Sequence, residues 1–186
     1  MGNKNDKLED KTLSNEKDNY FNDFVIFENI NKKYSQMKNE IIMTIKIDKN
    51  DINKDIYFLD NIADEDKCKD KKEDEIDEDQ YKIRHDKLNE MNESNTYLYI
   101  NDIKYKFQKY FNFKKVGEYK IKIKLNFLIK DCSFMFYNCK NIINIDLSNF
   151  NTMNIINMDR MFCSCENLIH LNLSNFETKN VTNMRS

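Results

Sequence analysis

MFYNCKNIINIDLSNFNTMNIINMDR (Met135 to Arg160) runs without a break into MFCSCENLIHLNLSNFETKNVTNMRS (Met161 to Ser186). Laid in register, the two segments agree at 13 of 26 positions. A period of this length marks supersecondary units that stack, each burying one face on its neighbour and leaving another free for partners. Ahead of them, Ile129 to Phe134 matches Val181 to Ser186 in role, with Asp131 in the place of Asn183 and Cys132 in that of Met184. The sequence thus contains two units and a half unit.

Inside each unit, apolar and polar residues alternate through Ile143-Asn144-Ile145-Asp146-Leu147 and Ile169-His170-Leu171-Asn172-Leu173, as a strand with one buried face requires. Phe150 and Phe176 close these runs, and Asn-rich segments follow. Met135, Phe136, Cys139 and Ile142 are spaced for one apolar face of a short helix. The expected fold is an α/β solenoid: strand, turn, short helix and return, with strands about 4.8 Å apart in a parallel sheet. It is an incomplete leucine-rich-repeat-type stack, preceded by a small β-rich leader domain. Its last repeat is expected to be uncapped, so that the chain self-associates there.

The pattern Met-Phe-x-x-Cys, then Leu-Ser-Asn-Phe-x-Thr-x-Asn, then Asn-Met, present in both units, resembles the BspA-like leucine-rich repeat family of surface proteins. The resemblance covers residues 129–186 and implies a curved repeat scaffold used for protein binding or adhesion. It also supplies an alternative reading, in which the chain is a truncated fragment of a surface or adhesive repeat protein.

Working outward, residues 40–128 read as the β-rich leader. EIIMTIKI (Glu40 to Ile47) alternates with period two, and IYFL (Ile56 to Leu59) is a second strand. YLYI (Tyr97 to Ile100) and IKYKF (Ile103 to Phe107) flank Asn101-Asp102, a hairpin signal. YKIKIKL (Tyr119 to Leu125) alternates again and, shifted by 26, falls under Ile145 and Leu147, which predicts it as the first rung of the stack. Residues 63–79 hold ten acids and four lysines and are expected to form a flexible insertion. Residues 1–39 are expected to be disordered or to contain a short helix around Tyr20, Phe24, Phe27 and Tyr34, and another helix is expected near Ile83 to Met91.

Comparing the two units separates scaffold from surface. Met135/Met161, Phe136/Phe162, Cys139/Cys165, Ile145/Leu171, Leu147/Leu173 and Phe150/Phe176 keep their character and read as core. Asn144/His170 and Asp146/Asn172 change and, with Ser148 and Ser174, face the exposed side of the sheet. These six residues are the candidate binding face. The recurring asparagines, Asn154/Asn180 and Asn157/Asn183 among them, read as amides that satisfy backbone groups from one rung to the next.

Charge is segregated: residues 103–125 carry eight lysines and one glutamate, although the chain's net charge is only −2. Lys104, Lys106, Lys120, Lys122 and Lys124 form a polar row, but no nucleic-acid motif accompanies them, and no nucleic acid is expected as a partner. Two histidines, His85 and His170, lie far apart, and neither a phosphate-cradling loop nor a nucleophile elbow is present, so no enzymatic activity is expected. Five cysteines without a disulfide framework point to reduced thiols and no metal or other cofactor. With no signal-peptide run and no span of bilayer length, the expected location is cytoplasmic, the cell surface being the alternative that the family resemblance supplies. The expected function is a non-catalytic protein-protein interaction module whose partner is another protein.

Overall fold

Alternation in EIIMTIKI decides the centre of the molecule. Ile41, Met43, Ile45 and Ile47 are buried to within 1% of complete, while Ile42 and Thr44 are half-buried and Lys46 is exposed. These residues form β1 (Glu40–Ile47), which is hydrogen-bonded along both of its edges. The computed structural model describes residues 38–61 and 88–185, which fall in the compact unit Lys38–Ser186. The expectations for residues 1–37, for the acidic stretch 63–79 and for the greater part of the helix near Ile83 lie outside the described residues. At its described end, Leu88 to Met91, that helix is only a tight turn.

After β1 come a 3-10 turn (Lys49–Asp51) and β2 (Asp55–Tyr57); then follow β3 (Thr96–Ile100), β4 (Ile103–Tyr105), β5 (Tyr110–Asn112), β6 (Gly117–Leu125), β7 (Ile142–Asp146) and β8 (His170–Asn172). Six strands form one sheet in the order β4-β3-β6-β1-β7-β8, and β2 with β5 forms a separate two-stranded pair. All neighbours in the large sheet are antiparallel except β7 and β8. The β3–β4 hairpin turns on Asn101 and Asp102 with φ of 49° and 62°, the left-handed pair that a two-residue turn needs if it is to follow the twist of its strands.

Two expectations are corrected here. The strand predicted as the first rung, β6, does not lie against β7. β1 is inserted between them, so that Ile121, Met43 and Ile145 form a single buried row. The α/β solenoid is also wrong: no α-helix occurs among the described residues, and the repeats extend a sheet that begins in the leader.

The physical reason lies in the segment expected to be helical. Phe134 and Asn138 have φ of 58° and 53°, and their counterparts Arg160 and Ser164 have 50° and 57°. A left-handed residue every fourth position breaks a right-handed helix. Tyr137 and Cys139 instead donate to the carbonyls three residues back, on Phe134 and Phe136. The alternate amides, those of Phe134, Phe136 and Asn138, donate at 2.8–2.9 Å to the carbonyls of Asp159, Met161 and Cys163 in the next turn of the repeat. Donors that a helix would keep to itself go to the neighbouring copy.

The copies therefore lie against each other with a 26-residue offset. Asn144 pairs with His170 and Asp146 with Asn172 in the sheet, and single bridges join Asp131 to Asn157 and Asn157 to Asn183. Phe136 stacks on Phe162 at 5.5 Å, and Phe150 lies 6.5 Å from Phe176. Asparagine amides reach back to the earlier copy: Asn167 donates to the Lys140 carbonyl, Asn175 to Ser148 and Asn180 to Met153. Ile145 and Leu147 are fully buried between β1 and the second copy, whereas Leu171 and Leu173 are about 40% exposed.

Met43 should be among the most costly positions to truncate, because it is fully buried midway between Ile121 and Ile145. Met43→Ala is expected to lower unfolding free energy by about 2–5 kcal/mol, read from the urea midpoint, whereas Lys46→Ala at the exposed end of the same strand should cost under about 0.5 kcal/mol.

Candidate interaction face

Because alternate side chains of every strand point the same way, the strand registers fix what shares the open side of the sheet. One row runs Lys104, Tyr99, Lys122, Ile42, Asp146, Asn172 across all six strands. A second runs Lys120, Thr44, Asn144, His170, and a third Tyr97, Lys124, Glu40. None of these residues is buried. The lysine row of the leader and the changing positions of the repeats, which are separate features in the sequence, lie on one continuous surface.

At the leader end, lysines are laid over tyrosines. Lys104 Nζ stands 4.6 Å from the Tyr97 ring centroid, and Lys122 and Lys124 stand 5.2 and 5.8 Å from that of Tyr99. Lys122 also donates to Asp102 at 2.7 Å, Lys124 pairs with Glu40 at 3.1 Å, and Lys106 pairs with Glu93 at 2.8 Å. The hydrogen bond from Lys122 draws the exposed Asp102 carboxyl below its ordinary value, and Asp102 in turn raises Lys122. Such pairs are too solvated to contribute much stability, but they reduce the free positive charge.

At the repeat end, the six residues singled out from the sequence divide into two groups. Asn144, Asp146, His170 and Asn172 sit on strands and face outward, while Ser148 and Ser174 follow in the turns. Asp146 Oδ1 accepts the Ser148 amide at 2.9 Å and the Asn172 side-chain amide at 3.1 Å, and Asn172 Oδ1 accepts the Ser174 amide at 3.1 Å. Asp146 and Asn172 are thus partly engaged in holding the strand ends. Asn157 does the same one turn later, donating to Asp131 and accepting the Asp159 amide. Tyr97, Tyr99, Ile42 and Thr44 complete the face. Their alternation was visible in the sequence, but their neighbours depend on a strand order that it does not contain.

Cys132 and Cys139 are fully buried free thiols and Cys165 is partly buried. Burial pushes the first two well above the ordinary thiol value and Cys165 up to about 12. A thiol held protonated at neutral pH is a poor nucleophile and a poor metal ligand. Among the described residues no three His, Cys, Asp or Glu side chains are placed to hold a metal ion. Cys163 is disulfide-bonded, which corrects the expectation that every cysteine is a thiol.

Cys132, Cys139 and Cys165 should react with iodoacetamide far more slowly in the native chain than after unfolding in urea, as followed by mass spectrometry of labelled peptides. Asp146 adds an acid limb to stability. Hydrogen bonds from Ser148, side chain first and then backbone, and from Asn172 hold its folded-state carboxyl below the unfolded value against the opposing effect of burial. That contribution is complete above the unfolded carboxyl range of about pH 4 and is lost as pH falls through the lowered folded value. The difference in urea midpoint between wild type and Asp146→Asn should accordingly shrink on acidification below about pH 4.

Residues 101–186, from the β3–β4 turn to the end of the second copy, match a family described as Mycoplasma protein of unknown function, DUF285. No curated protein and no solved structure matches the chain.

Proposed function

We propose that the chain is a non-catalytic protein-binding module that engages a partner protein through the open face of its six-stranded sheet. The observation that carries this reading is the uninterrupted row from Lys104 to Asn172, which joins aromatic, cationic, apolar and amide side chains on one accessible surface. Half-buried tyrosines with a polar surround are the usual composition of a protein contact, because the ring supplies area at little entropic cost and the rim supplies specificity. Tyr97 and Tyr99 take the anchor role and Asn144, His170 and Asn172 the rim. Asp146 contributes less, since its carboxylate is already engaged within the fold.

Three of the five lysines of the polar row, Lys106, Lys122 and Lys124, have carboxylate partners. Lysine heads also lie over the tyrosine rings that a nucleobase would need for stacking. Both features favour a protein partner over a nucleic acid. The described residues contain no helix long and apolar enough to cross a membrane.

A photo-crosslinking residue placed in turn at Tyr99, His170 and, as a control off the face, Lys115 tests the proposal in cells of the source organism. One protein captured from both Tyr99 and His170 but not from Lys115 is the expected result, and Tyr99→Ala should weaken its binding about tenfold or more. Adducts that disappear on nuclease treatment, or that form equally from Lys115, would overturn it.

A further inference from the structure

The junction between the two copies shows what the outer side of the second can accept. Across it, Phe136 and Leu147 donate their backbone amides to the Met161 and Asn172 carbonyls at 2.9 Å. One period later, the amides of Phe162 and Leu173 have no acceptor among the described residues. The Lys140, Ser148 and Met153 carbonyls of the first copy accept the side-chain amides of Asn167, Asn175 and Asn180. Their counterparts on Glu166, Ser174 and Lys179 accept no hydrogen bond from the described residues. Strand β8 has a neighbour on its β7 side alone.

The apolar side chains follow the same rule. Met158 is 3% exposed and its counterpart Met184 63%, and Leu147 is fully buried where Leu173 is 39% exposed. Phe162 stacks on Phe136 through one face and is only half-buried. A parallel strand beside β8, an aromatic ring over Phe162 and asparagines one period beyond Asn167, Asn175 and Asn180 would satisfy the whole set at once. These are the features by which the second copy covers the first.

Two charged positions make the site selective. At the existing junction Lys140 stands 3.7 Å from Glu166, and Asp159 accepts two hydrogen bonds from Arg185 at 2.9 and 3.1 Å. The second copy therefore presents an acid and a base, Glu166 and Arg185, at the places where the first presents Lys140 and Asp159. A unit with the second copy's own residues would set glutamate against Glu166 and arginine against Arg185, whereas one with the first copy's residues would set lysine and aspartate there. We propose that the outer side of the second copy is a binding site for one further polypeptide unit of the 26-residue pattern, and that it selects a unit with a basic residue opposite Glu166 and an acidic one opposite Arg185. A second folded copy of the chain offers no such unit: its β7 is already flanked by β1 and β8, and its β8 has only an identical edge to present. The inference concerns the edge beyond β8 and does not depend on the reading of the open sheet face.

Three labelled peptides titrated into the whole chain test it by fluorescence polarisation: the first-copy sequence Met135 to Arg160, the same peptide carrying Lys140→Glu and Asp159→Arg, and a scrambled version. The first should bind and slow hydrogen exchange at the amides of Phe162 and Leu173. The charge-exchanged peptide should bind about threefold or more weakly at low salt, a gap that narrows as ionic strength rises, and the scrambled one should not bind. Leu173→Asp, at an exposed position of the chain, should abolish binding of the first peptide while circular dichroism shows the fold retained. Should that variant fail to fold, the comparison of peptides on the unaltered chain decides alone. Absence of binding by the first-copy peptide, equal binding by either of the others, or binding that leaves the two amides unprotected would overturn the proposal. So would a chain that is dimeric by analytical ultracentrifugation and becomes monomeric in Leu173→Asp, since the edge would then take a second copy instead.

Discussion

Everything in the described part of the molecule depends on β1 being hydrogen-bonded along both edges. Its pairing with β6 on one side and β7 on the other makes one sheet of two sequence regions with different patterns. The same pairing sets Ile121, Met43 and Ile145 side by side in the interior, where their burial supplies the main driving force. It also fixes the opposite face, because a one-residue slip of β1 would turn Ile41, Met43, Ile45 and Ile47 outward and Glu40, Thr44 and Lys46 inward. Core and candidate surface are two consequences of one register.

The repeats are built on a complementary constraint. Each copy has left-handed residues at equivalent places, which turn backbone donors away from a helix and toward the next copy. Asparagine and aspartate then satisfy the groups that such turning leaves open, as Asn157 does between Asp131 and Asp159. This accounts for a composition rich in asparagine, whose amide brings its own donor and acceptor, although the left-handed positions themselves are held by Phe134, Asn138, Arg160 and Ser164. It also limits how far Asp146 and Asn172 can serve a partner, since they are partly used by the fold.

Much of this was legible in the residues themselves. Strict alternation gave β1, β3 and β6 almost to the residue, the Asn-Asp pair gave the hairpin, and comparison of the two copies gave the buried positions of the first copy, whereas Leu171 and Leu173, read as core in the second, are exposed. What was not legible was order. Nothing in YKIKIKL says that EIIMTIKI will lie between it and Ile145, because alternation specifies which face is buried and not which strand is adjacent. The helical spacing of Met135, Phe136, Cys139 and Ile142 also misled, since a chain of tight turns buries the same four side chains. For the surface, the residues of the repeat end could be named singly, but their union with Tyr97, Tyr99 and the lysines follows only from the registers.

The place of β1 bears on how the chain can reach this state. Ile42 and Asp146 are neighbours in the sheet but 146 − 42 = 104 positions apart along the polypeptide. A ribosome must therefore deliver nearly four-fifths of the sequence before the second edge of β1 can be occupied. Until then an apolar strand with high β-propensity and no proline stays exposed on the nascent chain, the kind of segment that attracts chaperones or aggregates. The region matched by the DUF285 family, residues 101–186, contains β6 and β7 but not the strand that joins them. Made separately, it would lack β3 as well, so that β6 would keep neither of its sheet neighbours and β7 would keep only β8.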